Sequence, residues 1–147
     1  MLTCTRVLYH DLSFDHRFAY LDDPESMGDP LPVIVLLDSS AVLAYMLDDA
    51  ERFPLRNKQL KALDAIALNG RLELPVALWW ESKLDICEGR HRAAWLARAG
   101  YPTIPFVTAE HMAEDLLHAL GSGGHETSLH YDFSQFARFR VLSRQDI

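Results

Sequence analysis

Cysteine is scarce in these 147 residues: there are two, Cys4 and Cys87. Two thiols so placed make neither a disulfide framework nor a zinc pattern, so a reducing, cytoplasmic setting is the expectation. Long apolar runs are missing as well. None approaches the roughly 18 to 20 residues needed to span a bilayer, and no membrane partner is expected. The opening MLTCTRVLYHDL lacks a charged start followed by an apolar core, so no signal peptide is expected. There is no internal repeat and no low-complexity tract, which leaves one compact domain over residues 1–147 as the simplest partition. Even the one glycine-rich run, Gly121-Ser122-Gly123-Gly124, lacks a preceding strand and a following Lys-Ser/Thr. It reads as a flexible connection, not a phosphate loop.

What is present is ordinary in amount and uneven in placement. The chain is 49% hydrophobic and 24% charged, as a soluble globular protein is. Its net charge of −7 divides as 10 acidic against 3 basic side chains in residues 1–53, 5 against 8 in 54–108, and 6 against 3 in 109–147. A locally basic centre thus sits inside an acidic protein. Broad duplex binding calls for an extended basic face. A small basic focus suits a nucleotide or a single phosphodiester better.

Along the chain, Arg6–Leu12 and Arg17–Leu21 allow short strands, and residues 22–30 form a loop rich in Asp, Pro and Gly. Leu31–Leu37 is an uninterrupted apolar run, the mark of a strand buried on both faces. Asp38, Ser39 and Ser40 supply N-cap candidates for a helix over residues 41–50, whose core stripe is Val42, Tyr45 and Met46, widened by Leu43 and Leu47. A second helix is expected over Lys58–Asn69, closed by Gly70, with Leu60, Leu63, Ile66 and Ala67 toward the core. Thr108 is the expected cap of a helix over residues 109–120. His111 and His118, seven apart on that helix, do not have the i, i+4 spacing of a metal clamp and read as exposed. In the tail, aromatics at 131, 133, 136 and 139 are expected to close the core, with Arg138, Arg140 and Arg144 outside.

The richest stretch is Arg71–Thr108. Pro75 leads an apolar strand, Glu81-Ser82-Lys83 turns the chain, and Leu84–Cys87 runs extended again. Then comes Glu88-Gly89-Arg90-His91-Arg92, followed by a helix over residues 93–99 that Gly100 ends and Tyr101-Pro102 prevents from continuing. Glycine at such a junction permits a sharp turn and close approach of a ligand. The first N–H groups of a helix lack partners and carry partial positive charge. Guanidinium forks match phosphate oxygens bidentately. Gly89, Arg90, His91 and Arg92 are therefore the candidate phosphate site. Strand alternation puts Asp85 and Cys87 on one face and Glu88 on the other. Glu88 is thus better placed than Asp85 to hold Mg²⁺ or orient a water, or else it pairs with Arg90 or Arg92.

The ordered pieces NKQLKALDAIALNG, LPVALWW, LDICEGRHRAAWLARAG and TIPFVT resemble the core of the ParB/sulfiredoxin fold. The resemblance implies an α+β fold, a small mixed sheet flanked by helices, with a core over about 55–120 and the ends packed on it. It implies a nucleotide ligand, ATP or CTP, held by Gly89, Arg90, His91 and Arg92, with Lys58 and Lys61 at positions where sulfiredoxins contact nucleotide. Glu88 and His91 are the catalytic candidates, and Asp85 is a weaker metal ligand. The sulfiredoxin nucleophile position is occupied by Arg90, so thiol repair chemistry is not expected. A comparable Gly-Arg-His-Arg opening and the upstream PVIVLLDSSAVLAYML are similar to the plasmid fertility-inhibition (Osa/FiwA-like) group. That likeness implies nucleotide hydrolysis, DNA cleavage and blockade of DNA transfer, with DNA or a DNA-transfer protein as partner, and Mg²⁺ would then be the companion of Glu88. The alternatives are a nucleotide sensor without turnover and an interaction module that has kept only the fold.

Overall fold

The structure, a computed structural model, describes residues 1–5, 32–123 and 130–147. The short strands expected at 6–12 and 17–21 lie outside the described residues. The architecture is α+β, with helices packed on two sheets. In chain order the elements are β1 (Leu2–Thr5), β2 (Pro32–Asp38), α1 (Ser39–Asp48), α2 (Asn57–Ala62), α3 (Ala65–Asn69), β3 (Arg71–Glu73), β4 (Val76–Trp80), β5 (Lys83–Glu88), α4 (Arg90–Arg98), β6 (Thr103–Ala109), α5 (Glu110–Leu120), β7 (Tyr131–Asp132) and β8 (Val141–Leu142). No helix of the described residues is long and apolar enough to cross a membrane.

The larger sheet has the order β5-β4-β6-β2-β8 and the smaller one β3-β1-β7. β2 and β6 pair antiparallel along their whole lengths, from Pro32↔Ala109 to Asp38↔Thr103. Both read as continuous apolar runs because both lie inside the sheet, and Val33–Leu37 are almost wholly buried. The ends of the chain are therefore built into the sheets and not laid over a central core. β2 and β8 belong to the large sheet, while β1 and β7 pair in parallel in the small one. One hydrophobic cluster runs from Leu2 to Phe139 and includes Tyr131 and Phe136, so the tail aromatics do close the core.

Several local expectations need correction. The helix expected over 58–69 is two helices, α2 and α3, interrupted at Leu63-Asp64. The break turns Ala67 out to solvent, while Leu60 and Ile66 stay buried. Leu47 is exposed and does not widen the α1 stripe. Thr108 is a buried residue of β6, and Ala109 occupies the cap position instead. Gly121 and Ser122 form no loose linker. Gly121 bridges Leu37, and the Ser122 amide donates to the Leu36 carbonyl at 3.0 Å. A Cβ on Gly121 would stand 2.4 Å from the Leu117 carbonyl oxygen, so only glycine fits there.

The β4–β5 hairpin turns on Glu81 and Ser82, both in the left-handed region at φ 51° and 61°. A two-residue hairpin loop demands that geometry even without glycine, because it matches the twist of the flanking strands. The hairpin delivers β5 to the start of α4. That helix packs on α1, α2 and β6 through Ala93, Ala94, Trp95 and Leu96.

Candidate functional site

α4 begins sooner than the sequence suggests. Arg90, His91 and Arg92 form its first turn, and the loop between strand and helix is Gly89 alone. Gly89 is left-handed at φ 87°, a conformation that costs a residue bearing Cβ roughly 1–2 kcal/mol. It is also crowded: a Cβ would meet Arg92 Nη2 at 2.6 Å and Pro75 Cβ at 2.8 Å. The first bond closed inside the helix runs from the Ala93 amide to the Gly89 carbonyl at 2.9 Å. No side chain caps the helix start, and no acidic residue lies in its first turn. The preceding N–H groups therefore present an uncompensated positive end. Beside them is an open recess of about 240 Å³ lined by Leu63 and residues 86–92.

The three basic side chains at this mouth do different things. Arg90 Nε donates to the Pro54 carbonyl at 2.9 Å, which fixes the stem. Among the described residues its terminal nitrogens have no carboxylate partner. His91 Nε2 accepts from the Arg56 backbone N–H at 3.1 Å. Its pKa is lowered, first by burial and then by the neighbouring Arg90 and Arg56. With Nε2 accepting, the neutral ring carries its proton on Nδ1. His91 thus stands as a neutral donor, and the nitrogen that a general base would use is taken.

Arg92 is the most enclosed of the three, its side chain 14% exposed. Nη1 donates to Glu73 Oε2 at 2.8 Å, and Nη2 lies 3.5 Å from Glu88 Oε1. The pairing of Glu88 with Arg92 is thus realised across the strand-to-helix junction, four residues apart. Glu73 has no such proximity in sequence. The β4–β5 hairpin, which pairs Val76 with Glu88 and sets Pro75 against Gly89, brings the residues just before Pro75 to the foot of α4.

The remaining candidates are dispersed. Asp85 does not line the recess; it points to the other face of β5, 3.9 Å from Arg52 Nη2. Among the described residues no three His, Cys, Asp or Glu side chains gather as metal ligands. Glu88 fits Mg²⁺ only as a single carboxylate accompanying ligand phosphates, the usual partners of that ion. Lys58 is exposed and lines no part of the recess. Lys61 lines a different one, about 380 Å³, with Asn57, Asp64, Trp95 and Arg98. α2 crosses the later half of α4 there, where Trp95 Nε1 donates to Asp64 Oδ1 at 2.9 Å. Neither lysine lines the recess at the α4 start. Tyr45, expected in the core stripe of α1, packs partly buried against the core, and its hydroxyl accepts from the Leu84 amide of β5 at 3.2 Å.

No protein-family model matches the chain, and neither the curated proteins nor the solved structures contain a match. The site defines the protein only to the level of an α+β chain with an uncapped, basic helix start.

Proposed function

We propose that this chain binds a phosphate-bearing ligand, most simply a nucleotide such as ATP or CTP, at the start of α4. The observation that carries the reading is the conjunction at one point of uncapped helix amides, a glycine junction and the free end of Arg90. Helix amides and an adjacent guanidinium together supply directed donors and positive charge, the two requirements of a phosphate site. The likeness of the GRHR segment to the ParB/sulfiredoxin core supports the same assignment. Binding without turnover is favoured over hydrolysis, because the recess offers one carboxylate, Glu88, and that carboxylate lies beside Arg92. A role in restraining DNA transfer would follow from the fertility-inhibition likeness, and conjugation frequency in cells expressing the chain tests it.

The direct test is isothermal titration with ATP and CTP, with and without Mg²⁺, accompanied by assay of released phosphate. Saturable binding is expected, weakened at least about tenfold by Arg90→Ala, since a charge-assisted contact contributes roughly 1.5–3 kcal/mol. Heat of binding that is the same in wild type and Arg90→Ala, or absent altogether, removes the proposal. Phosphate release lost in Glu88→Gln would instead establish the hydrolytic form.

A further inference from the structure

We infer that Glu73 is a built-in competitor for the anion at the start of α4, holding Arg92 until a ligand displaces it. The inference rests on the phosphate-binding reading above and concerns how that same site is regulated.

Nη2 and Nε of Arg92 lie 2.6 and 2.9 Å from where a Cβ on Gly89 would stand, so the guanidinium fills the space that only glycine leaves open. Its Nε and Nη2 are enclosed and have no hydrogen-bond acceptor. A fork with five donors therefore makes one described hydrogen bond, from Nη1 to Glu73. Glu88 lies too far from Nη2 for a good bond and contributes charge only. For Arg92 to reach a phosphate, the nitrogen now on Glu73 must be released.

Glu73 is suited to let go. Its side chain is 52% exposed, at the end of the three-residue strand β3 on the edge of the small sheet. Its carboxylate exchanges the guanidinium for water with little loss, because pairs this exposed are weak. Arg92 cannot do the same, since enclosed donors without partners are costly. A phosphate oxygen matches the fork at least as well as a carboxylate. The exchange would free the β3 corner of the small sheet from α4, so that occupancy of the site is read out at that corner.

The test compares wild type and Glu73→Gln by ATP titration calorimetry on the full chain, with thermal melts of each. Removing the competitor should tighten ATP binding about fivefold. Should Glu73→Gln melt uncooperatively, Glu73→Asp serves instead. It keeps the charge on a shorter stem that cannot hold the 2.8 Å contact, and the same gain is expected. Binding by wild type with no gain in a folded variant overturns the competitor alone. Absence of ATP binding in wild type and both variants overturns the competitor and the phosphate reading together. Binding that appears only in the variant supports both.

Discussion

Three strands of the large sheet run directly into helices, and they treat the helix start differently. At the end of β2, Asp38 accepts from the Ala41 amide at 2.9 Å, so α1 is capped by its own chain. At the end of β6, α5 has no side-chain cap, but Glu110 in its first turn supplies negative charge and pairs with Arg140. At the end of β5, α4 has neither, and basic residues fill its first turn. The same local problem is thus answered internally twice and left open once. A helix start left positive and given more positive charge is not stabilised by its own dipole. The phosphate ligand proposed above would supply the missing negative charge.

The comparison can be broken most severely at Gly89. Gly89→Ala should cost about 3 kcal/mol, from the left-handed backbone and the clash with Pro75 and Arg92, and a lowered urea midpoint measures it. Next is the contrast between the two arginines. Arg92→Ala should destabilise by about 1–2 kcal/mol, through lost packing of an enclosed stem and a half-exposed pair, discounted for solvent. Arg90→Ala should cost less, about 0.5 kcal/mol, since it removes one hydrogen bond to a carbonyl and no ion pair. Equal effects in the two melts would erase the distinction between the arginine paired within the fold and the one that is not.

Asp38→Ala should cost about 1 kcal/mol and so convert the first junction into a second uncapped one. It should not create ATP affinity there, because Ser39 is buried and no basic residue follows in the turn.

The smallest effect is that of His91. Its folded pKa is depressed, so the unfolded chain binds the proton more readily. The contribution is complete above the ordinary histidine value of about 6.5 and is lost as pH falls through the lower folded value. A stability profile measured from pH 7.5 to 5 should decline less in His91→Asn than in wild type.

Patterns of short range were readable in the residues. The apolar run at 31–37 predicted a buried strand, and Asp38 was among the predicted caps. Pro75 preceded the strand it was expected to lead, and Gly100 took the expected left-handed conformation at φ 93°. Each of these depends on one residue and its immediate neighbours. The divided helix at Leu63-Asp64 was hidden because its sequence has no breaker, and packing of Leu60 and Ile66 on different neighbours overrides propensity. At the site, the junction glycine and the basic turn were visible. The separate fates of Arg90 and Arg92 were not, since Pro54, Arg56 and Glu73 are distant in sequence.

By itself the sequence determined which segments extend, which coil, and where a glycine must join them, because backbone preference and apolar spacing act over a few residues. Tertiary structure alone decided that a strand from near the N-terminus lies inside the large sheet. It also decided that Lys61 lines a different recess from the one at the junction and that Glu73 reaches Arg92. Those outcomes arise from sheet pairing and helix crossing, which bring together residues whose separation along the chain carries no trace of the contact.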